Sequence, residues 1–377
     1  MNEYNLTPEL DADLEALYLY ILSLLPVREL AVFEKWRLNA GSFEAIYFAD
    51  EQELGKFGFP FQLLGKLEEV KREHSLEKIV TDLAHTGVKV LPYYDAQYPI
   101  LLKEIYDAPP VLFYRGELFE QNTQQSNEPC IAIVGSRAMT PYGTMAIPRI
   151  TSPLLDAGIT IVSGLAYGVD SSAHKESVAR GQRTIAVLGS GVDDESIYPR
   201  AHFKLAQEIL DNKGLLLSEQ PPFTPGLPYN FVARNRIIAG LSLGVVIVEC
   251  KLKSGALITA DYAGDFNRAL YAVPGPIYSK LSDGPHKLIG DGAMLITSGQ
   301  DILDDLAISQ PQLTKQLETK LTNTEQTVLE CIQDTPRAIN EIAGISNLDI
   351  SIVAQTITLL ELKNLVKELG VKGYIKI

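Results

Sequence analysis

The chain has 377 residues, 46% apolar and 21% charged, and its 33 Lys and Arg against 47 Asp and Glu give a formal charge of −14. That length supplies more than one core, since domains typically hold ~100–200 residues, and the composition excludes a disordered tail, a collagen-like fibre and a disulfide-stapled mini-protein. The three cysteines, Cys130, Cys250 and Cys331, are odd in number and far apart, so they form neither a disulfide framework nor a C-x-x-C metal pattern.

The most apolar early segment, Ala16 to Pro26, follows Glu3, Glu9, Asp11, Asp13 and Glu15. It has no basic leader and no small-residue cleavage site, and it is shorter than the ~20 residues a bilayer needs. It reads as a buried amphipathic helix, so a cytoplasmic protein with no membrane association is expected, and the cysteine spacing adds the expectation of no metal or other cofactor. The first ~75 residues read as short helices punctuated by Pro26, Gly41, Gly55, Gly58 and Pro60, so residues 1–80 are assigned to a small helical module.

From Val88 the period changes. Val88 to Leu91 and Val111 to Gly116 are strand candidates, and Glu120 to Pro129 reads as a polar surface loop. Six short apolar runs follow: Cys130 to Val134, Thr160 to Val162, Thr184 to Leu188, Leu215 to Leu217, Val245 to Val248 and Leu270 to Val273. Helical stretches, Tyr142 to Ala157, Ser171 to Arg180, Ala201 to Asn212 and Leu257 to Asn267, separate most of them. Continuous apolar strands are buried on both faces, the mark of a parallel sheet with helices on either side. Residues 81–308 are therefore predicted to be α/β, a doubly wound Rossmann-like domain.

Asp301 to Lys320 is polar and reads as a connecting segment, with the linker proper at 309–320. Residues 321–377 then read as three helices (Thr324 to Ile332, Ala338 to Ala343, Asp349 to Leu362) and a hairpin, a small winged helix. Such modules often bind DNA, but Asp349 to Leu360 contains no Lys or Arg, which favours partner docking or regulation.

In an open parallel sheet, ligands bind at the carboxyl ends of strands, where glycines admit the backbone and helix N-termini attract anions. Gly135-Ser136-Arg137, Ser163 to Asp170 with Gly164 and Gly168, Gly189 to Asp193, and Lys251 to Gly255 with Lys253-Ser254-Gly255 occupy such ends. None completes a dinucleotide fingerprint, and the chain contains no G-x-x-x-x-G-K-[ST]. Hydride transfer and nucleoside triphosphate hydrolysis lack their usual equipment. Glycine and serine loops with cations at their tips, Arg137, Lys253 and the run Arg234-Asn235-Arg236, suit a phosphate backbone, because guanidinium forks match phosphate oxygens.

Each residue has a plainer reading beside this one. Phe231, on a loop after the proline-rich stretch Pro221 to Pro228, either stacks on a base or is an ordinary apolar anchor. Arg234 or Arg236 can pair with Glu249 or Asp261, Lys175 can be a solvated helix residue, and Asp170 and Asp193 can cap helices. His174 has no nucleophile and carboxylate at triad spacing.

Acidic balance normally argues against nucleic acid. Its distribution complicates that inference: Ile131 to Gln300 holds 15 Lys and Arg against 14 Asp and Glu, so the flanks carry all of the excess acid and the middle can hold a local basic pocket. Acidic flanks would repel duplex while a central pocket accepts a flexible strand.

With these loops assembled, the chain resembles the DNA-processing protein A (DprA, or Smf) family. The matching runs are Gly135-Ser136-Arg137, Ser163-Gly164-x-Ala166-x-Gly168-Val169-Asp170, Ala186 to Gly191 with Tyr198-Pro199, Asn230-Phe231-x-x-Arg234-Asn235-Arg236, Ser254 to Ala260, and Val273-Pro274-Gly275, in family order across roughly Leu91 to Leu303. The resemblance implies a homodimeric, non-enzymatic protein that binds single-stranded DNA, protects incoming strands in natural transformation and loads RecA recombinase onto them. It implies a sterile-alpha-motif-like first module. By motif match, Arg137 would hold phosphate, Gly164 and Gly168 would allow close approach, Phe231 would contact a base, and Arg234 to Arg236 with Lys253 to Gly255 would line the pocket. His286 stands where the family usually has Asn, and Arg200-Ala201-His202 replaces the usual ending after Tyr-Pro. The alternative is a nucleotide phosphoribohydrolase-like enzyme on a related sheet, but the turn at Lys253 to Leu257 lacks the Pro-Gly-Gly-x-x-Thr pattern and the catalytic Glu that such an enzyme needs.

Overall fold

The structure, a computed structural model, describes residues 13–119, 128–308, 323–332, 337–346, 348–362, 366–368 and 374–376. The chain divides into two compact units, 1–310 and 311–377. The linker assigned to 309–320 and most of the loop assigned to 120–129 lie outside the described residues.

The first unit opens with helices α1 (Leu14–Ser23), α2 (Leu30–Ala40), α3 (Phe43–Phe48), α4 (Glu51–Lys56), α5 (Leu64–Glu73) and α6 (Leu76–Thr86). Local chemistry sets their ends. Asp50 and Glu53 form a reciprocal capping box on α4, Ser75 accepts from the Lys78 amide at the start of α6, and Gly87 ends α6 in the left-handed region. Ala16 through Leu22 are all buried, so α1 is apolar all round rather than amphipathic, as a central core helix should be.

Next come β1 (Lys89–Pro92), α7 (Ile100–Lys103) and β2 (Val111–Gly116), then the alternating region: β3 (Cys130–Val134), α8 (Pro141–Asp156), β4 (Thr160–Ser163), α9 (Val169–Ala179), β5 (Thr184–Leu188), α10 (Phe203–Asp211) and β6 (Leu215–Ser218). It continues with α11 (Pro228–Leu241), β7 (Gly244–Ile247), α12 (Gly255–Asp265), β8 (Ala269–Ala272), α13 (Asp283–Gly290), β9 (Met294–Leu295) and α14 (Gly299–Asp305). Residues 301–305, read from sequence as part of a connecting segment, are helical instead. Ser298 and Asp301 make a capping box that starts α14, and Ile302 and Leu303 seat it in the core.

The nine strands run in the order β1-β2-β6-β5-β4-β3-β7-β8-β9, parallel from β6 to β9, with β2 antiparallel to both β1 and β6. Pleating divides β3 between two cores. Cys130, Ala132 and Val134 face a layer that also contains α1, α2, α11 and β2, while Ile131 and Ile133 face a layer with α8, α9 and α14. The N-terminal helices therefore share one apolar core with the sheet. The second unit packs α15 (Asn323–Glu330), α16 (Ile339–Ser346) and α17 (Ile350–Leu362) around Val328, Ile342, Val353, Ile357 and Leu360. The antiparallel hairpin β10 (Val366–Glu368) and β11 (Tyr374–Lys376) follows, and Arg337 bridges to Tyr374 as a third strand position of the winged helix.

Ile133 is wholly buried in the second layer of the first unit. Ile133→Ala should cost about 2–5 kcal/mol, the range for truncating a large aliphatic side chain in a packed core. The check is the urea midpoint at unchanged m-value.

Candidate nucleic-acid interface

Strand order reverses at β3: β4, β5 and β6 are laid to one side of it, β7 and β8 to the other. The crossovers after β3 and β7 therefore part company at their carboxyl ends, and a crevice must open between them. It is there, with a volume of about 790 Å3. The β3 and β7 loops are tied together across it. The Ser136 amide donates to the Glu249 carbonyl at 2.6 Å, and the buried Glu249 carboxylate accepts from the Thr140 amide at 2.8 Å and the Thr140 hydroxyl at 2.5 Å. Thr140 is the N-cap of α8, so this carboxylate also meets the positive end of that helix.

The inner wall is α11. Its Arg234 is 6% exposed, and its Nη1 donates to the carbonyl of Gly164 at 2.8 Å and to that of Val187. One guanidinium thus fastens α11 to the loop after β4 and to the end of β5. Burial pulls its pKa down to about 10, opposed by the Asp170 charge, which still leaves it cationic at neutral pH. Asp170, buried beside it, accepts from the Gly164 amide at 3.1 Å, and desolvation pushes its carboxyl up despite Arg234 and the hydrogen bonds it accepts. Gly164 has no room for a side chain, since a Cβ would meet the Arg234 guanidinium. Gly168 has φ +75°, and a Cβ there would meet the Ser136 carbonyl.

Phe231 lies in the first turn of α11, not on a loop. Arg137, exposed, holds its guanidinium 5.6 Å from the Phe231 ring centroid, and the Tyr198 ring lies 5.3 Å away on a tilt of 38°. Lys251, Lys253 and Ser254 close the opposite side, with Ser254 capping α12. The basic residues lining the cleft are Arg137, Arg234, Lys251 and Lys253, against Asp170 as the one acid there.

The structure brings Gly135, Ser136, Arg137, Phe231, Arg234, Asn235, Lys253, Ser254 and Gly255 to this cleft, and Asn235 holds the far wall by donating to the Gly255 carbonyl at 3.1 Å. Gly164 borders a recess that continues it. Ser163 is sealed beneath, donating to the Ile133 carbonyl at 2.6 Å, and Gly168 acts from behind by letting the β3 loop approach. Arg236 does not face the cleft. It points out of the other side of α11 into ion pairs with Asp107 at 3.0 Å and Glu219 at 2.6 Å, carboxylates other than the Glu249 and Asp261 that the sequence suggests. Two positions in a helix differ by about 200°, so Arg234 and Arg236 cannot share a face. The sequence places Lys251 in the same strand-end loop as Lys253 and Tyr198 in a matching run without assigning either to the site, and the structure brings both to the cleft. Asp193 is a turn residue, accepting from the amides of Ser196 at 3.1 Å and Phe223 at 2.9 Å, and Lys175 is exposed. His286 bonds the Gly275 carbonyl at 3.0 Å.

Fold and site define a Rossmann-like protein whose strand-end cleft is built of cations and aromatic rings. The family model for DNA recombination-mediator protein A matches residues 89–307, and that for the DprA winged helix domain matches 312–370. The chain belongs to the DNA recombination-mediator protein A family. It is 46% identical to the DNA processing protein DprA of Streptococcus pneumoniae over 209 residues, covering 55% of this chain and 71% of that one. Over 240 residues it is 40% identical to that of Bacillus subtilis, covering 64% and 78%. Among solved structures, the Streptococcus pneumoniae protein superposes with a TM-score of 0.64 at 33% identity, over 78% of this chain and 98% of that one. DNA processing protein A of Helicobacter pylori, studied for its single-stranded DNA binding mode, gives 0.51 at 29% identity, over 59% and 97%.

His174, on α9, is wholly buried. Its Nδ1 is 2.8 Å from the Thr184 hydroxyl, which itself donates to the Ile161 carbonyl, so Nδ1 carries the proton, and Nε2 has no hydrogen-bond partner among the described residues. Desolvation, then the nearby His202 and Arg234, pulls its pKa down to about 3. The unfolded chain takes up a proton below its ordinary 6.5 that the folded chain refuses, so this contribution to stability rises with pH between about 3 and 6.5. Asp170, with its carboxyl pushed up, contributes with opposite sign. Comparing chemical melts of wild type and His174→Asn across that window should isolate a difference on the order of 4 kcal/mol at its acid end. Gly168→Ala should destabilise by more than ~1 kcal/mol, read in the same melts at neutral pH.

Proposed function

We propose that this chain binds single-stranded DNA in the β3/β7 cleft, gripping the sugar-phosphate backbone, and acts without catalysis as a recombination mediator. In this reading it protects incoming strands in natural transformation and loads RecA recombinase onto them, working as a homodimer in the cytoplasm. The observation that carries it is the convergence of Arg137, Lys253 and Phe231 on one concave face. Cations that neutralise phosphate beside a ring that can stack on an unpaired base are the equipment of sequence-tolerant strand binding. The family membership and the strand binding of the Helicobacter pylori relative point the same way. No single described helix is long and apolar enough to cross a membrane.

A phosphoribohydrolase finds no support at the site. Glu249, buried just after β7, spends both carboxylate oxygens on Thr140, and Asp170, which lines the cleft, accepts from the Gly164 amide beside Arg234. The sterile-alpha-motif-like assignment of residues 1–80 belongs to the same proposal, with that module and the winged helix as accessories. A docking role suits the latter, because α17 bears no Lys or Arg and leaves Ile350, Ile352 and Leu359 exposed.

Titrating labelled oligothymidylate at several salt concentrations tests the reading. Arg137→Ala should weaken binding and reduce the log–log salt slope by ~0.7 for each phosphate that Arg137 neutralises. Unchanged affinity and slope would remove Arg137 from the interface, and equal affinity for duplex at the same salt would remove the preference for unpaired strands.

A further inference from the structure

The cleft does not end at Phe231. Beyond it lies a small recess of about 30 Å3 bounded by Arg137, Gly164, Tyr167, Tyr198, Pro199 and Phe231. Its two tyrosines are each 46% exposed, and neither hydroxyl makes a hydrogen bond among the described residues. Both rings stand half open, and the backbone beneath one of them is well fastened.

The loop from Gly164 to Gly168 is pinned along its length. Its Gly164 carbonyl accepts from Arg234 and its Gly164 amide donates to Asp170. Leu165 takes φ +57° with its side chain wholly buried, and its carbonyl accepts from His202 Nδ1 at 2.7 Å. A non-glycine residue in that region is disfavoured and persists only where the surroundings over-determine it. The Val169 amide then donates to the Ser136 carbonyl at 3.2 Å. Amid these anchors only the Tyr167 side chain is left standing outward, its ring resting edge-on against the buried His202 ring, centroids 4.8 Å apart at 61°. Tyr198 meanwhile packs against Phe231, ring centroids 5.3 Å apart on a tilt of 38°.

Resting on the single-strand reading above, we propose that Tyr167 and Tyr198 are base-stacking residues that carry the strand past Phe231. One unpaired base lies against the Phe231–Tyr198 pair and its neighbour on Tyr167, while Arg137, which lines the same recess, takes the intervening phosphate. Stacking on a π-face tolerates any base, so these positions set how many nucleotides are held rather than which ones.

The experiment uses the full chain and oligothymidylates carrying one 2-aminopurine, whose fluorescence falls on stacking. Tyr167→Ala and Tyr198→Ala should each weaken binding roughly 5- to 100-fold, reduce the quench, and leave the salt slope unchanged, whereas Arg137→Ala lowers that slope. Tyr167→Phe and Tyr198→Phe should restore both affinity and quench. A scan of single abasic sites through the oligonucleotide, on wild-type protein, reads the same stacking without touching the fold and should find adjacent sensitive positions whose penalty disappears in the Ala variants. Wild-type protein that fails to bind the strand at all would sink the single-strand reading. Binding that is strong but indifferent to abasic sites, with quench unaltered in both Ala variants, would overturn the stacking assignment alone.

Discussion

A single buried guanidinium holds the cleft in shape. Arg234 spans from α11 to the carbonyls of Gly164 and Val187, with the Asp170 carboxylate beside it. Burying an ion costs several kcal/mol unless its hydrogen bonds and charge are met, and here they are met by the groups whose spacing matters. The wall helix, the β4 loop and the end of β5 cannot shift independently without stranding that charge. The same guanidinium lines the cleft together with Arg137, Lys251 and Lys253.

That arrangement separates two jobs within one short run of sequence. Arg234 and Asn235 face the cleft and act by holding its walls, while Arg236 faces away and ties α11 to Asp107 and Glu219. The exposed cations, by contrast, are free of ion pairs among the described residues and available to a polyanion. Alternation of this kind lets one helix serve as both structural strut and binding wall.

The strands are the most legible part of the chain. Cys130 to Val134 and Thr184 to Leu188 are bounded in the structure where their apolar runs are bounded, because central parallel strands are buried on both faces and leave no polar residue to blur the ends. Helix α11 is the least legible. Asn230, Arg234, Asn235 and Arg236 are all buried on it, so the usual apolar periodicity is absent, and only Pro228 at its first position with no Gly or Pro until Gly240 marks it as a helix. Of the site, the glycine loops and their cations can be read from strand ends. The face each arginine takes, the sealing of Ser163 and the approach of Tyr198 to Phe231 depend on neighbours distant in sequence, which no local pattern encodes.

The hollow between β3 and β7 owes its existence to strand order, not to any rim residue. Two crossovers that set off in opposite directions leave a gap whatever side chains decorate it. Loops can therefore lengthen, shorten or change sign around that gap while both cores stay intact, which makes the same scaffold open to carrying quite different polymers and metabolites over evolutionary time.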